Sequence, residues 1–212
     1  MKQIFISGSM RIKNINKLVI DRIENIIREK FTIFVGDADG VDTSIQQILA
    51  NKNYENVKVY CTGNYPRNNM GKWGIITVYT DHKPKTRLYF TAKDIEMAKH
   101  CDYGLMVWDS KSTGTLSNVY ELLKNKKTSV VFVNKLKKFF NVNNFSDFEN
   151  LVSIMSDSAF NKADKKIKLK EKIITNKHKQ LCLFPEANKS PNPTREHARF
   201  LDVDSSGYTA QG

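Results

Sequence analysis

The sequence predicts an α/β fold, a Rossmann-like, doubly wound and mostly parallel sheet with a C-terminal helical extension and a flexible tail. Three observations lead there. Short β-branched and aromatic runs alternate with stretches of helical periodicity, as successive βαβ units require. Several of those runs are apolar at nearly every position, as strands covered on both faces are. Three junctions between a strand and a helix carry glycine with polar residues, at positions 8–11, 36–42 and 112–118. In a parallel sheet such turns share the carboxyl edge, where ligands of these folds bind.

In chain order, residues 2–7 (KQIFIS) read as a buried strand ending at Gly8-Ser9-Met10-Arg11. Residues 14–30 follow as a helix, with Leu18, Ile20, Ile23, Ile26 and Ile27 on one apolar face and Asn14 or Asn16 as N-cap. Residues 32–35 (TIFV) are the next strand; Gly36 and Gly40 bracket its turn, and a helix runs from Val41 to about Lys52. Residues 56–61 (NVKVYC) are the third strand. Residues 62–90 are irregular and rich in basic and aromatic side chains (Arg67, Lys72, Trp73, Lys83, Lys85, Arg87, Tyr89), with 75–80 as an added hairpin strand. Residues 91–100 form a helix with Thr91 as N-cap and Asp94 at the capping-box position.

Residues 102–108 (DYGLMVW) are apolar enough for a central strand. The third junction passes into a helix through 119–124 and then the strand 128–133 (TSVVFV). Residues 135–142 are a short strand or a turn, 146–155 an amphipathic helix with Phe148, Leu151, Val152 and Met155 inward, and 159–174 a lysine-rich helix. From Asn176 onward Pro, Asn, Ser and charge predict an extended or disordered tail, with residues 181–185 as its apolar patch and a candidate linear motif. The expected division is 1–140 for the sheet domain, 141–176 for the helical extension and 177–212 for the tail.

Composition narrows the partners. The net charge of +12 favours anions such as nucleotides, nucleic acid or acidic headgroups. Eight lysines against Asp164 and Glu171 between positions 162 and 179 supply half of it; such a run is either a solvated helix face or a surface for nucleic acid. Cys61, Cys101 and Cys182 form no CxxC pair, so reduced thiols in a cytoplasmic protein are expected. No signal peptide or membrane span is expected, and His82, His100, His178 and His197 lack metal-ligand spacing, so neither a metal nor a cofactor is indicated.

The junctions supply the candidate site. Glycines allow close backbone approach, and the unpaired amides at a helix start suit a phosphate. Gly8, Ser9 and Arg11 either hold a phosphate beside the first helix or are ordinary turn residues. Gly36 and Gly40 are joined by Asp37, Asp39 and Asp42, three carboxylates where a phosphate prefers none. An acid there either caps the helix or accepts from ribose hydroxyls or a base edge. Ser112, Thr113, Gly114 and Thr115 offer hydroxyls and amides as a phosphate cradle. Lys93 and Asp94 face the same edge or form a capped surface turn; Trp108 stacks on a base or packs in the core; Asp109 reaches a ribose or a catalytic water.

ISGSMR, VGDADGVD and TAKDIEMAKHCDYGLMVWD followed by SKSTGTLSN together resemble the SLOG superfamily, the Rossmann-like group of the Smf/DprA and LOG proteins, and are most similar to its YspA-like branch. The second of these is similar to the family's GGAxGxD turn, with Gly36, Ala38, Gly40 and Asp42 in matching places, and Gly114-Thr115 resembles its phosphate-contacting turn. The resemblance implies binding of a nucleotide or nucleotide-derived small molecule. It also implies two alternatives, cleavage of a nucleotide N-glycosidic bond and Smf/DprA-type binding of single-stranded DNA through the basic C-terminal segment. The LOG motif GTxxE has its catalytic glutamate where this chain has Asn118, which leaves enzymatic activity undecided and Asp42, Asp109 or Glu121 as catalytic candidates. Association into a homo-oligomer is left open.

Overall fold

A computed structural model describes the chain from Met1 to Leu183, with side chains to Asn176. The elements are β1 (Gln3–Gly8), α1 (Lys17–Arg28), β2 (Thr32–Gly36), α2 (Val41–Asn51), β3 (Val57–Thr62), β4 (Gly74–Val78), α3 (Arg87–His100), β5 (Tyr103–Trp108), α4 (Thr113–Lys124), β6 (Thr128–Val133), β7 (Lys138–Val142), α5 (Phe145–Val152), α6 (Asp157–Ile167) and α7 (Leu169–Leu183). Met1–Asn176 is one compact unit. α7 continues to Leu183 and so overruns the start of the tail expected from residue 177; residues 184–212, including the end of the predicted motif at 181–185, lie outside the described residues.

The sheet order is β4-β3-β2-β1-β5-β6-β7, parallel throughout except for β7, which runs antiparallel to β6. This is the expected mostly parallel, Rossmann-like α/β sheet. Strand order reverses between β1 and β5, because β2, β3 and β4 extend to one side of β1 while β5, β6 and β7 extend to the other. Alternate strand residues feed two separate layers, as a period of two requires. Ile4, Ile6, Ile33, Val35, Leu105 and Val107 pack against α1 and α2 through Val19, Ile23, Ile45 and Leu49. Phe5, Phe34, Met106, Trp108 and Val131 pack against α3, α4 and the helices after β7.

Several local expectations change. Asn16 caps α1, accepting from the Leu18 amide at 3.0 Å, and the buried stripe is Val19, Ile23 and Ile26, with Leu18 left exposed. β4 pairs parallel to β3 and is not half of a hairpin. Such a connection needs a crossover, and residues 63–73 supply it, with Trp73 Nε1 donating to the Tyr54 carbonyl. The helix predicted at 91–100 begins a turn earlier, at Arg87, because Thr86 is the N-cap; Thr91 instead donates to the Arg87 carbonyl, and Asp94 caps nothing. The lysine-rich helix breaks at Lys168, which takes a left-handed φ of 53° so that Ile167 and Leu169 can both be buried.

The helical extension shares the core. Phe148, Leu151, Val152, Met155, Ala159, Ala163 and Ile167 are all buried in the layer that covers β5 and β6. Phe148 also meets Tyr120 of α4, with ring centroids 5.7 Å apart. Phe148→Ala is therefore expected to lower the unfolding free energy by about 3–5 kcal/mol, as read by urea denaturation of the whole chain. A loss below about 1 kcal/mol would mean that the extension folds apart from the sheet.

Candidate functional site

The carboxyl ends of β1, β2 and β5 meet at the strand-order reversal, where they open into a cavity of about 800 Å³. That volume suits a small ligand. Ser7, Gly8 and Arg11 come from the first junction, Ala38 and Asp42 from the second, and residues 111–115 with Asn118 from the third. The predicted turns thus share one rim. α3 adds Arg87, Phe90, Lys93 and Asp94, and α6 closes a side with Ser158, Lys162 and Lys166.

Lys93 is the hub. It is 2% exposed, and its ammonium lies 2.8 Å from Asp94 Oδ1, 3.7 Å from Asp37 Oδ1 and 3.9 Å from Asp42 Oδ2. Burial pushes the ammonium toward losing its proton, but Asp94, Asp42 and Asp37 outweigh this and raise its pKa above 10.5. Gly36 makes the cluster possible. A Cβ there would collide with the Asp42 carboxylate and the Lys93 ammonium. Gly36 and Gly40 thus serve contacts within the protein: Gly40 has φ of +81° and abuts the Met10 backbone.

The three turn acids divide their roles. Asp37 accepts from the Arg67 amide at 3.0 Å and from its guanidinium at 2.7 and 3.1 Å, a two-pronged ion pair that stitches the crossover loop to β2. Burial pushes the Asp37 carboxyl up, yet Arg67 and Lys93 together hold it below 3.8. Asp39 accepts from Asn68 at 3.2 Å on the same loop. Asp42 faces the cavity. It does not cap α2, whose N-cap Gly40 has no side chain to offer; its Oδ1 accepts from Ser7 Oγ at 3.0 Å. Burial lifts the Asp42 carboxyl to about 6, against the pull of Lys93.

At the third junction some amides are already satisfied. Asp109 Oδ1 accepts from the amides of Lys111 and Ser112 at 2.9 and 2.6 Å, and Ser112 Oγ accepts from the Thr115 amide at 3.4 Å. Those side chains hold the turn, so the predicted cradle narrows to the amides of Thr113 and Gly114, which have no partner among the described residues. Beside Gly114 only Ser112 Oγ comes near, at 3.9 Å from where a Cβ would stand. One turn further, Asn118 lines the cavity at 4% exposure, and its carboxamide has no hydrogen bond among the described residues.

Three predicted residues turn inward to the protein. Ser9 is fully buried and outside the cavity; its hydroxyl accepts from the Asp109 amide at 3.1 Å, tying the β1 and β5 turns together. Trp108 packs in the core, with Nε1 donating to the Ser112 carbonyl at 3.0 Å. Glu121 does not line the cavity and pairs with Lys124 at 3.0 Å. The sequence reading missed the part that α6 plays in the site; Ser158, Lys162 and Lys166, each four residues apart, were its only signal.

The lining holds seven basic side chains and three carboxylates. Arg67 is spent on Asp37 and Lys93 on its acids. Arg11, Arg87, Lys111, Lys162 and Lys166 have no carboxylate partner among the described residues, so the cavity presents excess positive charge. Asp37→Asn is expected to cost about 2–3 kcal/mol of stability at neutral pH, because it uncouples Arg67 and removes a counter-charge from Lys93. Since the folded carboxyl sits below 3.8, its contribution is complete above that pH and fades as pH falls through the lowered value. Thermal melts of both proteins should therefore converge only in strong acid; an equal gap at all pH values would refute the ion-pair role.

No family model matches the chain, and none of the curated proteins matches it. Solved structures do. DNA processing protein A from Helicobacter pylori, described for its single-stranded DNA binding mode, superposes with a TM-score of 0.52 at 18% identity, over 79% of this chain and 80% of that one. DNA processing protein A (DprA) from Streptococcus pneumoniae superposes with a TM-score of 0.50 at 14% identity, over 72% of this chain and 56% of that one. The chain thus spans little more than half of the second structure. At these identities the likeness is one of fold.

Proposed function

We propose that the cavity binds a nucleotide or a nucleotide-derived small molecule, with a phosphate at the Thr113 and Gly114 amides, and that the chain is a SLOG protein of the YspA-like branch. The observation that carries this reading is Asn118, a carboxamide 4% exposed and without a partner, lining the cavity beside the open start of α4. Its polar end opens to the cavity, since it is not among the fully buried unpaired atoms, so a ligand oxygen or base edge can take the place of water on a side chain that packing already holds in position. Unpaired cations around it favour a phosphate. A hydrolytic role is less well supported: Asn118 occupies the place of the LOG glutamate, Asp109 holds the turn, and Glu121 lies off the cavity. Asp42 is the remaining acid with access to a ligand and an elevated pKa.

Single-stranded DNA is the second reading. It is supported by the fold shared with the Helicobacter pylori protein and by exposed lysines outside the cavity, including Lys165 of α6 and Lys168 at the junction of α6 and α7. Two buried free thiols, Cys61 and Cys101, accord with a reducing, cytoplasmic setting.

Isothermal titration with nucleoside mono-, di- and cyclic phosphates tests the first reading, and Asn118→Leu should weaken binding by about tenfold or more. Silence across the panel defeats it. A cyclic nucleotide, whose phosphodiester does not titrate near neutrality, should bind up to about tenfold more tightly as pH falls through 6, because protonation of Asp42 removes a negative charge facing the ligand. Asp42→Asn should flatten that dependence. For the second reading, salt-sensitive gel retardation of an oligonucleotide should weaken in Lys165→Glu/Lys168→Glu, and unaltered retardation would count against it.

A further inference from the structure

α6 packs beside α4 in the core layer through Ala159, Ala163 and Ile167, buried at four-residue spacing. The small alanines let the helix approach closely. One position before each stands a second stripe, Ser158, Lys162 and Lys166, and a helix that buries one such row holds the adjacent row along the margin of the contact. That margin is the cavity wall, and all three residues line it. Arg87, at the start of α3, donates to the Lys166 carbonyl at 2.8 Å and brings a third cation to the same wall. Burial pushes the Arg87 guanidinium below its ordinary pKa.

None of Lys162, Lys166 and Arg87 has a carboxylate partner among the described residues. The acid of α6 nearest in sequence, Asp164, accepts from the Lys170 amide at 2.8 Å and pairs with the Lys170 ammonium at 3.9 Å. Three like charges on one wall repel one another unless an anion sits among them. The Thr113 and Gly114 amides and Asn118 belong to α4, a different element of the lining, so the cavity has two anion-attracting regions carried by separate helices.

We propose that the α6 wall is a second phosphate anchor, so that the ligand carries at least two phosphoryl groups, as a nucleoside diphosphate or a linear dinucleotide does. This deepens the nucleotide reading above and rests on it. A monophosphate fills the α4 anchor alone; the second phosphoryl group engages Lys162, Lys166 and Arg87. The helical extension then sets ligand size as well as closing the site.

The test is calorimetric titration of the full chain with adenosine and guanosine monophosphates, the corresponding diphosphates and the 5′-phosphorylated dinucleotide pApG. Wild type should bind the two-phosphate probes about tenfold or more tightly than the monophosphates. In Lys162→Glu/Lys166→Glu that preference should collapse to within about twofold, with monophosphate affinity falling far less than the affinity for the two-phosphate probes. Lys162→Gln/Lys166→Gln, which removes charge without reversing it, should give an intermediate result and guards against misfolding of the first variant. Equal binding of one- and two-phosphate probes by wild type, or a preference that survives both variants, overturns the second anchor while leaving the nucleotide reading intact. Failure of every probe to bind removes both.

Discussion

A single ammonium, that of Lys93, holds the ligand edge of the sheet together. It is buried beneath three carboxylates that arrive from the β2 turn, the first turn of α2 and its own helix α3. A buried cation without counter-charges, or two buried acids and a half-buried third without a cation, would each be untenable. Because the partners come from separate elements, satisfying the charge also sets how those elements meet. Gly36 is the steric condition for this arrangement, since any side chain there would stand where the ammonium and the Asp42 carboxylate lie.

The rest of the site follows from how the charges are used. Asp37 and Asp39 face the crossover loop and hold residues 67 and 68, so they do not repel a ligand. Asp109 and Ser112 satisfy most of the amides at the α4 start and leave two. What remains toward the cavity is a cationic wall, two amides, a carboxamide and one carboxyl near 6. The helical extension adds to this from far along the chain, because the apolar row of α6 docks on the same core layer as α4 and carries its polar row to the rim.

The carboxyl-edge geometry was readable because strand runs such as IFIS and TIFV are unambiguous and their turns follow at once. Asp42 and Asp94 were visible as residue types, but whether each caps a helix or lines a site depends on neighbours remote in sequence. Thr91 was the cap expected from the sequence; the helix begins at Arg87 instead, because the Thr86 hydroxyl accepts from the Tyr89 amide. Ser9 and Trp108 are residue types that can meet a ligand at a strand end, but Ser9 accepts from the Asp109 amide across the β1–β5 pair and Trp108 donates to the Ser112 carbonyl, so both are spent within the protein.

By itself the sequence determined the α/β class, the placement of glycine turns at strand ends and the excess of positive charge, all of which depend on short-range patterning. Tertiary structure alone decided which acids are neutralised, which amides stay open and which lysines face the cavity. Those outcomes rest on contacts between residues up to about a hundred positions apart, such as Ser9 with Asp109 and Arg87 with Lys166. Periodicity reports the face of an element and not the neighbour it meets.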